Sequence, residues 1–266
     1  MQTLPDISMT STLRLGIEEL IPYINWIYFY HAWGIKEENA DDLKSEAEEL
    51  LRTWSKENRQ CLFRIRLLQA NSKDDDILLY EDNGRHTTLP LLRQQRPPYL
   101  CLADFLPPMG MEPKTMGIFT ATTPFDVSGL LEQTLADRLA EAAAERGHEI
   151  VRKEIWGYAP NESLTPNDLF AERYIGKRPA VGYPSLPDQS INFIIASLLD
   201  FSTMGISLSE NGAMIPHATT SGLVIRHPQC RHFKIGDIGE DQLLDYAVRR
   251  GIAPDLLRKF IDTTSR

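Results

Sequence analysis

The sequence has little of what usually assigns a protein quickly. Its three cysteines, Cys61, Cys101 and Cys230, lie far apart with no CxxC spacing. That supports neither a disulfide framework nor a zinc site, and reads as buried small apolar residues. No apolar run approaches the roughly 18 residues that suggest a membrane span. The N-terminal stretch MQTLPDISMTSTLRLG also lacks the cationic-then-apolar order of a targeting leader, so a cytoplasmic protein is expected. Positive charge is scarce as well: the formal net charge is -9, and the only cationic clusters are RQQR at 93–96 and RRG at 249–251. A concentrated basic face for nucleic acid is therefore not expected. Missing too are GxGxxG after a strand, GxxxxGKS or GxxxxGKT, GxSxG and HExxH, which leaves a dinucleotide fold, a P-loop, a hydrolase elbow and a zincin unsupported. Ordinary hydrolysis or redox chemistry by this chain alone is not expected.

What is present describes a folded α+β protein. Of the 266 residues, 42% are apolar and 24% charged, ordinary values for a globular chain. One compact unit over 1–266 is expected, with a helical N-terminal part at 11–60 and an α+β part at 61–266. The aromatic stretch YINWIYFYHAW within 11–33 reads as a buried helix-and-turn entry to the core, with His31 a core histidine. Residues 39–57 begin with Asn and acids and then place Leu43, Ala47, Leu50, Leu51 and Trp54 on one face, an amphipathic helix. CLFRIRLLQA alternates as a strand, and Asn83-Gly84 marks a hairpin between two extended runs. YLCLADFL and MGIFTATT read as further strands. Leu131, Leu135, Leu139 and Ala142 recur at helical spacing within 128–156, the longest helix. INFIIASLL reads as a short buried helix, and GISLSENGAMIP, SGLVIRHP and RHFKIGDI as three antiparallel strands. Two closing helices, EDQLLDYAVRRG and PDLLRKFIDTT, follow, with Gly251 as a C-cap. Helices and antiparallel strands in blocks, without regular βαβ alternation, give the α+β class.

One stretch asks for a ligand. YIGKRPAVGYPSLPD, residues 174–188, is too rich in proline for a helix or a central strand. It reads as a shaped loop of the kind that carries a site. Arg178 can hold a carboxylate bidentately, Pro179 presets the backbone, Gly182 permits close approach, and Tyr183 offers an aromatic face with a hydroxyl. An α-amino acid zwitterion fits such a loop, and its ammonium, or a sulfonium nearby, calls for acids such as Glu141 and Glu172. A structural Arg–Glu pair is the competing reading of the same residues.

The wording of the chain adds a resemblance. The run LADRLAEAAAERGHEIVRKEIWGYAPNESLTPNDLFAERYIGKRPAVGYPSLPD, residues 135–188, with its VRK, WGYAPNE and RPAVGYP segments, resembles the activation domain of cobalamin-dependent methionine synthase. YINW, CLADF, MGISLSENGAMIP, the SG and HP pairs and LLDYAVRRG extend the likeness from about Ser11 to Ile252. The resemblance implies a C-shaped α+β domain built on a twisted antiparallel sheet, with S-adenosylmethionine (AdoMet) in a shallow groove. It also implies a role. When the cobalamin of the synthase has been oxidised to cob(II)alamin, the domain docks on the cobalamin-binding module, a flavodoxin-like donor supplies an electron, and the cobalt is methylated from AdoMet. The cobalamin comes with the partner, and the domain positions the reactants.

Carried over by position, the resemblance implies AdoMet contacts at Glu141, Glu172, Arg178, Ala180 and Tyr183. It also shows departures. Asn25 in YINW stands where the family has an aspartate, and His232 in CRHFKI where it has a tyrosine. In MIPHATTSG, which resembles the segment facing the corrin, Ile215 replaces a tryptophan and His217 a glycine. A cobalt-ligating role for His217 is set aside. The homocysteine, folate and cobalamin modules, with their DxHxxG signature, are absent from these 266 residues. Met1 followed by a polar lead favours a free-standing subunit acting in trans over a piece of a longer chain. The expected function is thus AdoMet-dependent reactivation of a methionine synthase. The alternatives are a docking or regulatory module that kept the fold but lost AdoMet, and a reactivator of another corrinoid protein. Arg178→Ala is expected to remove AdoMet affinity and leave the fold intact.

Overall fold

Two periodicities, one of two residues and one of three to four, lay out the molecule. The computed structural model describes residues 8–262, so the lead through Ile7 and the expected helical positions Thr263 and Thr264 lie outside the described residues. In chain order the elements are β1 (Met9–Gly16), α1 (Ile17–Leu20), α2 (Trp26–Ala32), α3 (Asp41–Lys56), β2 (Gln60–Lys73), β3 (Asp76–Tyr80), β4 (His86–Pro90), β5 (Lys114–Thr122), α4 (Gly129–Ile150), α5 (Pro166–Phe170), α6 (Ile191–Leu199), β6 (Ser207–Leu208), β7 (Met214–Ile215), β8 (Thr219–Val224), α7 (Glu240–Arg250) and α8 (Pro254–Asp262). The class is α+β.

Strand β2 organises an antiparallel sheet of order β4-β3-β2-β5-β8. Its first half pairs with β1, from Met9↔Leu67 to Gly16↔Gln60, and its second half with β3. Its other edge carries β5, which in turn pairs with β8. Alternation along these strands sends side chains to two layers. Phe63, Ile65 and Leu67 of β2 and Phe119 and Ala121 of β5 pack with α1, α3 and α4. Leu68 and Ala70 of β2 and Met116 and Ile118 of β5 pack on the opposite face with α6. A smaller cluster holds α7 and α8 through Leu243, Tyr246 and Leu257.

Several sequence expectations need correction. The N-terminal part is not wholly helical, because MTSTLRLG alternates and pairs along β2 before the first helix begins. His31 is exposed rather than a core residue, since it lies on the solvent side of α2 opposite buried Phe29 and Tyr30. YLCLADFL forms a 3-10 turn at Leu102–Phe105 instead of a strand. Asp104 accepts the Cys101 backbone N–H and is gripped by Arg93 at 2.6 and 2.8 Å, which closes the chain locally. RHFKIGDI contains no strand; Ile235 donates instead to the carbonyl of Pro184. The longest helix is α-helical only to Ile150 and continues as a π turn at Val151–Ile155. Helix α3, the Asn83-Gly84 hairpin with Gly84 at φ 77, α6 and the Gly251 cap at φ 63 lie where the sequence places them. The three cysteines are buried, and burial pushes each thiol up to about 12.

Candidate functional site

Helix α4 has two faces. Leu135, Leu139, Ala142 and Ala143 are buried in the core. Arg138, Glu141, Glu145, His148 and, in the π turn, Arg152 recur three or four residues apart, which puts them on one stripe. Opposite that stripe runs the proline-rich loop. It lies antiparallel along the free edge of β8: Lys177 N–H donates to the Ile225 carbonyl and Ile225 N–H to that of Lys177, at 3.0 and 2.9 Å, Leu223 N–H donates to Pro179, and Val181 N–H donates to Ser221. Proline is tolerated because the segment is an edge. Glu172 precedes this seam with φ 51, ending α5 in the left-handed conformation that turns the chain toward β8.

Stripe and loop meet the start of α2 around a cavity of about 290 Å³. All seven residues named from the sequence line it: Asn25, Glu141, Glu172, Arg178, Ala180, Tyr183 and His232. Arg138, Glu145, Tyr23, Tyr28, Tyr174 and Phe170 line it too and were not anticipated. A signal for Glu145 existed, since it stands one helical turn after Glu141, and Tyr174 opens the proline-rich loop itself; Tyr23, Tyr28 and Phe170 come from separate segments.

The charges are arranged specifically. Arg178 Nη2 donates to Glu145 Oε2 at 3.0 Å, with both side chains 12% exposed, so its ion-pair partner is Glu145 and not Glu141. Burial opposes the guanidinium charge, but the fields of Glu145, Tyr174 and Glu141 outweigh it and raise the Arg178 pKa. Glu172 Oε1 lies 2.9 Å from His232 Nε2 and Oε2 lies 3.3 Å from Lys177 Nζ. Burial works against that carboxylate too, yet the hydrogen bond and charge from His232, with Lys177, hold its pKa below the usual range. Glu141 accepts a 3.3 Å hydrogen bond from the Tyr183 hydroxyl. Its charge, followed by burial, pushes that phenol up to about 12. Asn25 begins α2 with its backbone carbonyl accepting Phe29 N–H, and its side chain makes no capping bond. The MIPHATTSG segment lies one step along α4, where Ile215 is exposed and His217 Nδ1 sits 3.2 Å from Asp137.

The seam allows no extra atom at Gly222. A Cβ there would lie 2.2 Å from the Pro179 carbonyl oxygen and 2.8 Å from Ala180 Cα. Gly222→Ala is therefore expected to push the Arg178 loop off β8 at a cost of about 1–3 kcal/mol. A urea denaturation midpoint unchanged from the parent protein would show that the seam yields freely.

An antiparallel α+β domain with an aromatic-walled cavity that holds several charged side chains, between its longest helix and an edge loop, is the class these features define. The family described as vitamin B12 dependent methionine synthase, activation domain, matches over residues 16–251, and the chain belongs to that family. The crystal structure of the MetH reactivation domain bound to AdoHcy is similar to this chain, with a TM-score of 0.87 and 31% sequence identity over 98% of this chain and 92% of that one.

Proposed function

We propose that the protein is an AdoMet-binding activation protein that supports reductive methylation of cob(II)alamin in a cobalamin-dependent methionine synthase, acting in trans. The observation that carries this reading is the convergence of Asn25, Glu141, Glu172, Arg178, Ala180, Tyr183 and His232 on one cavity, in a family whose structural relative is a reactivation domain bound to AdoHcy.

The residues suit the ligand. Arg178 offers a guanidinium to a carboxylate. Glu141, which accepts a hydrogen bond from the neutral Tyr183 hydroxyl, offers negative charge to an ammonium or sulfonium. The rings of Tyr23, Tyr28 and Tyr174 suit a nucleoside. The partner's cobalamin, with an electron from a flavodoxin-like donor, would supply the nucleophile, and AdoMet held by Arg178, Glu141 and Glu172 would supply the methyl group, leaving S-adenosylhomocysteine in the cavity. The chain's own contribution is to hold the methyl donor in one pose, bury it from water and present it to the cobalamin-binding module.

The test is to supply this protein to a methionine synthase trimmed of its own activation domain, with cob(II)alamin bound, AdoMet and a reduced flavodoxin. Methylcobalamin formation that requires all the components is expected. Tight AdoMet binding without any methylation would instead favour another corrinoid partner.

A further inference from the structure

Five buried side-chain atoms without a hydrogen-bond partner belong to the cavity wall and the stripe that continues from it: Glu145 Oε1, Arg178 Nε, Arg152 Nη1 and both ring nitrogens of His148. Buried polar groups are ordinarily satisfied, so such a concentration marks a place where geometry is set by something other than hydrogen-bond economy. Glu145, His148 and Arg152 belong to one stripe of α4, and Tyr174 packs over it, 5.1 Å from the His148 ring and 4.0 Å from the Arg152 guanidinium, ring centre to charge. Only one strong bond joins this stripe to the loop cation, the 3.0 Å contact from Arg178 Nη2 to Glu145 Oε2. The pair is not bidentate, although an Arg–carboxylate fork is the commoner optimum. With Nε buried and Nη2 engaged, Nη1 is the nitrogen left for the cavity. The guanidinium also lies against the Phe119 ring at 5.5 Å, which limits its tilt.

We propose that Glu145 is the positioning residue of this site: its carboxylate holds Arg178 by Nη2, turning Nη1 of the guanidinium toward the carboxylate of an α-amino acid ligand. The role rests on the AdoMet reading of the cavity. It makes Glu145 a specificity determinant for the amino acid end of the ligand and indifferent to the nucleoside end.

The experiment compares three ligands by isothermal titration: AdoMet, S-adenosylhomocysteine and 5′-methylthioadenosine, which keeps the nucleoside and lacks the amino acid. Glu145→Met fills the same volume without an acceptor. It is expected to weaken the first two by about tenfold or more, with 5′-methylthioadenosine held within about threefold, a difference of under 1 kcal/mol. Glu145→Gln keeps an acceptor oxygen and is expected to restore most of the loss. Should the Met variant not fold, Glu145→Asp draws the carboxylate back by one methylene and is expected to show the same selective loss. Parallel weakening of all three ligands, or no weakening in a folded variant, overturns the positioning role. Failure of the parent protein to bind any of the three overturns the reading of the cavity, and the role of Glu145 with it.

Discussion

Arg178→Ala is expected to lower AdoMet affinity by roughly 100-fold or more, because a buried, charge-assisted contact to a carboxylate is worth about 2–5 kcal/mol when one partner is removed. The structure adds a second consequence. Arg178 is the ion-pair partner of Glu145, so the substitution strands a largely buried carboxylate, and a stability loss of about 3–5 kcal/mol is expected. The fold therefore does not escape the substitution, as a reading of the loop alone suggests. The double variant Glu145→Met with Arg178→Met separates the two effects. It removes both charges together and is expected to regain much of the stability while AdoMet binding stays absent. Titration and urea denaturation on the parent protein and these two variants check both halves, and undiminished AdoMet affinity in Arg178→Ala would refute the site assignment.

A comparably large effect is expected from His148, through pH. Its ring is fully buried, and burial first, then the charges of Arg152, Arg178 and Lys177, push its pKa well below the ordinary value. The unfolded chain takes up this proton near pH 6.5 and the folded chain only at a much lower pH. Below about pH 6.5 the unfolded state thus binds more protons, and stability falls as pH falls, by up to about 1.4 kcal/mol per unit. The held-down carboxyl of Glu172 acts in the same direction but only below its ordinary value of 4.5, so the window between about 5 and 6.5 lies above that carboxylate's titration, and the comparison of parent with variant isolates His148. His148→Phe, which keeps an aromatic ring against Tyr174, is expected to flatten the slope there. Equal slopes for the parent and the variant, followed by urea midpoints at several pH values, would contradict the assignment.

How far the sequence alone reaches depends on how local each signal is. Helix α3 and the stripe of Leu131, Leu135 and Leu139 on α4 were legible because helical periodicity repeats within a few residues. The Asn83-Gly84 turn was legible because its backbone demands positive φ. The strand at Met9–Gly16 was missed because the aromatic run after it dominates that stretch, and its partner in β2 lies some fifty residues away. The turn at Leu102–Phe105 was missed because it depends on Arg93 reaching Asp104, a pairing between side chains that no periodicity reports.

The site divides in the same way. That Arg178 and two glutamates belong together followed from ligand chemistry and from resemblance, and the structure gathers them on one cavity. Which glutamate pairs with Arg178 did not follow: Glu141 and Glu145 share one face of α4, and the choice of the second is a tertiary contact between that helix and a loop seated close against β8 at Gly222. The His232 contact to Glu172 likewise joins two loops with no common periodicity.

Isothermal titration of the purified protein with AdoMet, with S-adenosylhomocysteine alongside, is the most direct test of the account. Saturable binding at one site per chain, lost on substitution of Arg178, is the result expected. Absence of binding up to millimolar AdoMet, by a protein shown to be folded, would contradict it.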